Sequence, residues 1–330
     1  MTSTMKAYRF ETPSEGLIYK DVPVPVPESN QVLVRIKAAG ICHTDINIIT
    51  GKDDTFFWKR PITLGHELAG EIVEIGANVT NFKVGDRVVA AITTKHPLTF
   101  GDVTTSPGIG KDGGFAEYVT VLEAKTVRIP DDVTFAHAAV ATDAVATAYH
   151  SVIVDGEVTA GSKVAIIGLG GLGLSAAQIA VRQGAKVYGI ELDTRKYVPA
   201  AQVGVYSCAK SFAKFPGARF DVILDFAGTG ATTVAAAKAV RPGGRVVLIG
   251  LANRTAPIDT YELIALGVTI KASGGSSIQE VEKCLQMIAD KEFDPTVEEV
   301  NFRQLKEGID KLASGNVIGR LFTDPSKISG

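Results

Sequence analysis

Along the first third of the chain, apolar and polar positions alternate in short runs broken by turn residues. "QVLVRIKAA" has the period of two expected of a half-buried strand, and the proline-stiffened "DVPVPVPESN" before it reads as an extended arm. "LAGEIVEIGANVTNFKVGDRVVAAI" supplies two more strands across a polar turn, and "GGFAEYVTVLEAKTVRIP" another two. Short strands at this spacing predict a small barrel or sandwich. The intervening "TTKHPLTFGDVTTSPGIGKDG", rich in Gly, Pro and Thr, reads as loop.

Near Asp132 the period changes. "VTFAHAAVATDAVATAYHSV" is alanine-rich and helical, and beyond it the strands "KVAIIGL", "KVYGIEL", "FDVILDF", "GGRVVLIGL" and "GVTIKAS" alternate with helices. Those helices start near Gly171, Arg195, Ala231 and Thr260. Such alternation predicts a parallel sheet covered on both faces, so the fold class is α/β with a β-rich domain in front. The tail, "IQEVEKCLQMIADKEF" followed by a short strand and "FRQLKEGIDKLASG", is too short to stand alone and is expected to pack on the first domain.

A chain of 330 residues exceeds what one hydrophobic core usually supports, which agrees with two domains. With 45% hydrophobic and 21% charged residues and a net charge of −2, nothing electrostatic points to nucleic acid or an anionic membrane. "VAIIGLGGLGLSAAQIAV" has the length of a membrane span, but its glycines and the preceding "GSK" read as strand, turn and helix. The opening "MTSTMKAYRF" lacks the apolar core of a signal peptide. Cys42, Cys208 and Cys284 are odd in number and widely spaced, which argues against a disulfide framework and for a reducing, cytoplasmic setting.

Two stretches carry chemistry. In "KVAIIGLGGLGLSAAQIAVRQGAKVYGIE", Gly168, Gly170 and Gly173 follow an apolar strand and open a helix, with Gly171 and Leu172 at its mouth. A GxGxxG alone is weak; strand, turn, helix and second strand together meet the requirement of a dinucleotide fingerprint. Glu191 closes the second strand about twenty residues on, where a carboxylate accepts the adenosine ribose hydroxyls and repels a 2′-phosphate. NAD is therefore expected over NADP, although Arg195 nearby could serve a phosphate or simply be a solvated helix-start residue. In "GHELAGEIVEIGANV", His66 and Glu67 stand at the mouth of a strand, and upstream "GICHTD" puts Cys42 at the end of another. Catalytic zinc takes three protein ligands of these types, but spacing alone cannot join residues so far apart.

At these residues the chain resembles the zinc-dependent alcohol dehydrogenases of the medium-chain dehydrogenase/reductase superfamily. "GHELAGEIVEIGANV" is similar to that family's zinc signature, "AAGICHTD" to its first-ligand loop, and "IGLGGLG" and "GNVIGR" to its cofactor segments, in family order over nearly the whole chain. The resemblance implies a GroES-like catalytic domain over residues 1–143 and 273–330, and a Rossmann NAD-binding domain over residues 144–272. It implies Cys42 and His66 as zinc ligands and, where many relatives have cysteine, Asp143 as the third; the alternative for Asp143 is a helix N-cap. Glu67 is implied as an alternating ligand, its plainer role being to support the others, and Asp45 as the acceptor that fixes the His66 tautomer. Cys208 and Cys284 fall in cofactor-domain and tail patterns and are expected to be buried hydrophobes, not ligands. Residues 93–111 lack the four cysteines of the family's structural-zinc lobe, so one zinc per chain is expected.

Thr44 is similar to the hydroxyl that takes the alcohol proton, and Asn47 stands where many relatives have a relay histidine. His43 and Arg320 are implied at the pyrophosphate, Thr147 at the nicotinamide, and Lys196 beside Glu191. Phe226, Ala227, Gly250, Leu251, Ser273 and Gly274 lie at the ends of later strands, where doubly wound sheets place their ligands. The aromatics of "TFFWKRP", with Trp58 the only tryptophan, either line the substrate channel or serve as core or oligomer contacts. The expected activity is hydride exchange between NAD and a small alcohol, aldehyde or ketone, in a homodimer or homotetramer. The alternatives are a zinc-free NADPH-dependent quinone or enoyl reductase, and a dinucleotide-binding regulatory protein without catalysis.

Overall fold

The computed structural model describes residues 3–52 and 59–329. The chain divides into two compact units, one of Met1–Ala146 with Gly275–Gly330, the other Thr147–Gly274. Phe56, Phe57 and Trp58, the aromatics considered for the substrate channel, lie outside the described residues.

The first unit is built on the long strand Gln31–Ile41, which pairs antiparallel with Glu67–Ile75 over most of its length. Its other neighbours are Tyr118–Leu122 at one end and Arg320–Thr323 at the other. The sheet continues through Arg87–Ala90 to Thr126–Arg128 on one side and to Val297–Val300 on the other. The tail therefore contributes two strands to this sheet. The period-two pattern decides the core: Val32, Val34 and Ile36 are fully buried beside Leu68, Ile72 and Phe115.

In this unit the stretches read from sequence as arm and loop carry regular structure. The proline-rich arm begins as a strand, Leu17–Pro23, paired antiparallel with Thr4–Phe10, because backbone pairing continues until the prolines remove donors. The supposed loop 93–113 contains a short helix, Phe100–Thr105, whose capping box joins Thr99 and Asp102 reciprocally.

The second unit is a six-stranded, all-parallel sheet. Lys163–Ile167 lies centrally; the chain adds Lys186–Ile190 and the short Ser207–Ala209 to one side of it. It then crosses back and adds Phe220–Asp225, Val240–Leu248 and Thr269–Ala272 to the other. That reversal makes a topological switch point beyond the carboxyl ends of Lys163–Ile167 and Phe220–Asp225, the place where doubly wound sheets take ligands. The apolar run of membrane-span length is strand Lys163–Ile167, a glycine turn, and helix Gly171–Arg182, whose Ala176, Ala177, Ile179 and Ala180 are buried. Among the described residues no helix is long and apolar enough to cross a membrane.

Candidate metal and dinucleotide sites

The metal site assembles from three places in the first unit. Strand Gln31–Ile41 ends at Cys42, which caps helix His43–Ile49: Sγ accepts from the Thr44 amide at 3.5 Å while Asp45 accepts from the Cys42 amide at 2.9 Å. Glu67 begins the neighbouring strand, so His66 stands at its mouth, and register places Gly40 opposite Glu67. The third place is the helix entered at Phe135 and capped by Thr134. It widens at Ala141–Val145 into a turn where the Ala146 amide reaches back five residues to the Ala141 carbonyl. Such π-type turns insert one residue and re-aim side chains, often at functional sites. Asp143 sits inside this turn and is therefore not the N-cap that the sequence left open.

One ligand atom each from Cys42, His66, Glu67 and Asp143 falls within 4.8 Å of the others, and all four residues are buried. Cys42 Sγ is 3.5 Å from Asp143 Oδ2, and His66 Nε2 is 3.7 Å from the same oxygen. A tetrahedral zinc, with bonds of about 2.3 Å to sulfur and about 2.0 Å to oxygen, sets those two ligands roughly 3.5 Å apart. The donor set and its spacing fit zinc.

Asp45 is fully buried and joins both ligand-bearing turns: one oxygen takes the Cys42 amide, the other faces the Gly65 amide at 3.4 Å and His66 Nδ1 at 3.6 Å. With Nε2 turned to the cluster, Nδ1 has no closer hydrogen-bonding partner. Burial works to lower the His66 pKa, but Asp45, Cys42 and Asp143 outweigh it and hold the imidazole well above its ordinary value. For Asp143, burial raises and the His66 contact lowers; the sum is a carboxyl far below the usual range.

Arg320, expected at the pyrophosphate, also reaches the metal cluster. It is only 4% exposed, and its guanidinium donates to both oxygens of Glu67 and, at 3.2 Å, to Asp143 Oδ2. Its role against Glu67 was not legible from "GNVIGR", which carries only glycine context. Burial raises the Glu67 carboxyl while Arg320 opposes that shift. Room for this pair comes from Gly40: a Cβ there would lie 1.9 Å from Glu67 Oε2. Thr44 Oγ1 stands 3.5 Å from Cys42 Sγ, Asn47 is half-buried one turn along the same helix, and His43 is exposed. Cys208 lies in strand Ser207–Ala209 and Cys284 is buried in helix Ile278–Ala289, where burial raises its thiol pKa.

In the second unit, Gly168 turns the chain at φ +86°, and a Cβ on Gly173 would fall 1.8 Å from the Gly168 carbonyl oxygen. Gly170 begins the helix without a capping side chain, and nothing lies within 4 Å of where its Cβ would be. That open space next to first-turn amides fits a diphosphate. Glu191 accepts from the Leu169 amide at 2.8 Å and the Asp193 amide at 3.0 Å, with Lys196 Nζ at 3.3 Å. Arg195 grips Asp193 with two nitrogens at 2.8–3.0 Å.

Phe226, Ala227, Gly250 and Leu251 sit in two loops organised by Asp225, which sequence reasoning missed. Its fully buried carboxylate accepts from the Ala227 and Gly228 amides and from the Thr232 and Thr233 hydroxyls, at 2.8–3.1 Å. Its carbonyl accepts from the Ile249 and Gly250 amides. The signal was an acid ending an apolar strand before "AGTGATT". Ser273 Oγ is buried without a partner, Gly274 is open where a Cβ would go, and Thr147 is buried.

Residues 28–131 match the family model described as alcohol dehydrogenase GroES-like domain, and residues 171–290 match zinc-binding dehydrogenase. An alcohol dehydrogenase of Geobacillus stearothermophilus is 32% identical, covering 96% of this chain and 98% of its own. An L-threonine 3-dehydrogenase of Caldanaerobacter subterraneus is 32% identical over 83% of each chain. The structure of an acetophenone reductase from Geotrichum candidum, in complex with NAD, superposes with a TM-score of 0.91 at 29% identity over 99% of each chain. The chain belongs to the zinc-dependent alcohol dehydrogenases of the medium-chain dehydrogenase/reductase superfamily. It is an oxidoreductase that moves a hydride between NAD and small alcohols or carbonyls, with a catalytic zinc-binding cluster of Cys42, His66, Glu67 and Asp143 and no structural-zinc cysteines.

Proposed function

We propose that Cys42, His66 and Asp143 hold the zinc, that Glu67 is an exchangeable fourth donor, and that Thr44 manages the substrate proton. The convergence of thiol, imidazole and carboxylate within 4.8 Å carries this reading. When bound, zinc supplies a Lewis acid for the substrate oxygen and NAD the hydride acceptor. Thr44 Oγ1 takes the proton in oxidation and returns it in reduction. Because the Asn47 side chain does not titrate, it would take no part in moving that proton, which would leave Thr44 for water. Asp45 keeps a proton on His66 Nδ1, leaving Nε2 as the donor atom.

The division of labour is residues 1–143 and 273–330 for catalysis and residues 144–272 for NAD. Gly168, Gly170, Gly171, Leu172 and Gly173 cradle the diphosphate, aided by His43 and Arg320. Glu191 and Lys196 hold the adenosine ribose. The Arg195–Asp193 pair and the Glu191 carboxylate both disfavour a 2′-phosphate, supporting NAD over NADP. Thr147, Phe226, Ala227, Gly250, Leu251, Ser273 and Gly274 serve the nicotinamide half.

Homodimer or homotetramer formation is part of the proposal. Thr269–Ala272 is an edge strand of the parallel sheet, and Tyr261 and Ile264, on the helix before it, are more than four-fifths exposed. The cytoplasm is the proposed compartment, in keeping with three free cysteines.

The test is a panel of primary and secondary alcohols, including the alcohol of acetophenone, offered with NAD and with NADP. NAD-dependent oxidation that stops on chelation and returns with zinc is expected. Quinone or enoyl reduction with NADPH, indifferent to chelation, would favour the zinc-free alternative.

A further inference from the structure

Residues 93–111 contain no cysteine; His96 meets Glu280 at 3.0 Å and the Thr93 amide donates to the Ser276 carbonyl at 3.3 Å, while the Asp102–Ser106 stretch is gathered by a buried cation of the chain's own. Lys125 is 4% exposed, and its ammonium donates to the carbonyls of Ile92 and Asp102, each at 2.7 Å, and to Ser106 Oγ at 3.3 Å. The Asp102 carboxylate lies 3.7 Å away. Three acceptors match the three protons of an ammonium, which is what a buried charge requires to offset its desolvation. Ser106 Oγ in turn donates toward the carbonyls of Ile92, at 3.0 Å, and Asp102, at 2.7 Å. Two carbonyls, a hydroxyl and a nearby carboxylate around a positive charge form the kind of oxygen shell that a structural metal gathers.

What this shell fixes continues directly to His66. The Ser106 carbonyl accepts from the amides of Ile109, Gly110 and Lys111, closing a tight turn. A Cβ on Gly108 would fall 2.6 Å from the His66 amide nitrogen, and one on Gly113 would fall 2.5 Å from the Gly65 carbonyl oxygen. The Gly114 amide donates to that oxygen at 2.7 Å, and Asp112 accepts from the Thr63 amide at 2.8 Å. Backbone packed on backbone leaves the ligand-bearing turn no slack.

We infer that Lys125 is a positioning residue for the metal site: its ammonium, in place of a structural metal, fixes the lobe of residues 92–106, and through it the turn that presents His66. The inference rests on the zinc reading proposed above and adds a residue that touches neither zinc nor substrate.

The test compares the wild-type enzyme with Lys125→Met, which keeps length and loses charge, and with the milder Ser106→Ala. Zinc release to a chelator and the visible spectrum of the cobalt(II)-substituted proteins are measured. Lys125→Met is expected to release zinc about tenfold faster, the low end of what losing a ligand's own partner costs because Lys125 acts through the lobe, with altered cobalt bands. Ser106→Ala is expected to follow in the same direction by a smaller factor, and it carries the test if Lys125→Met does not fold. Wild-type release and wild-type cobalt bands in the folded variants, even with reduced thermal stability, would overturn the inference. A wild type that takes up no zinc would instead overturn the metal reading beneath it.

Discussion

Cys42 Sγ and Asp143 Oδ2 stand 3.5 Å apart although 101 residues separate them in the chain. One ends a strand and the other sits in a widened helical turn, so the contact exists only in the folded unit. Asp143→Ala removes a ligand and leaves Arg320 beside Glu67 alone. Zinc affinity, by chelator competition, is expected to fall by more than about a hundredfold, beyond the loss typical of outer partners. Asp143→Cys is expected to keep zinc, since thiolate is an accepted ligand there. An alanine variant as tight as the wild type would remove Asp143 from the ligand set.

Gly40 and Glu67 face each other across paired strands, with no space for a methyl group. Gly40→Ala therefore pushes the carboxylate off Arg320. Overpacking of this kind costs about 1–3 kcal/mol, which the urea midpoint would register. An unshifted midpoint would mean that the Glu67 pair is looser than its burial indicates.

Binding of zinc should release protons at neutral pH. In the metal-free site His66 is held well above its ordinary pKa, so it carries a proton that coordination displaces. Asp143 is held far below its usual range and contributes none. Apparent zinc affinity is thus expected to weaken as pH falls. Calorimetry in buffers of different ionisation enthalpy counts the protons, with Cys42→Ser as the control that removes the thiol's own proton, and zero release in that control would contradict the His66 assignment.

Asp225 should matter for the cofactor and not for the metal. Removing its carboxylate in Asp225→Ala strands four donors that shape the two loops beyond its strand. Each unsatisfied buried donor, here the Gly228 amide and the Thr233 hydroxyl, costs about 1–3 kcal/mol, so NADH affinity by fluorescence titration is expected to drop at least about tenfold. Zinc content should stay at the wild-type level; its loss would mean that the damage is global.

Periodicity made most of the fold legible. The alternation in "QVLVRIKAA" and the strand–glycine–helix order around Gly168 correspond to the strand Gln31–Ile41 and the strand and helix flanking the turn. Three residues are too few to show a period, so Ser207–Ala209 was invisible. The helix Phe100–Thr105 could have been found from Thr99 and Asp102, whose spacing is a capping signal hidden in a Gly- and Pro-rich stretch. At the site, the family resemblance implied Cys42, His66 and Asp143 as joint ligands, but spacing alone could not bring them together. The widened turn at Ala141–Val145 has no signature in an alanine-rich helix, and Arg320 enters the cluster only because its strand pairs with Gln31–Ile41.

The most direct test is the zinc-edge X-ray absorption spectrum of the purified wild-type protein. One sulfur at about 2.3 Å with nitrogen and oxygen ligands at about 2.0–2.2 Å is the predicted shell. A shell with two or more sulfurs, or with none, would contradict the joining of Cys42, His66 and Asp143 on one metal ion.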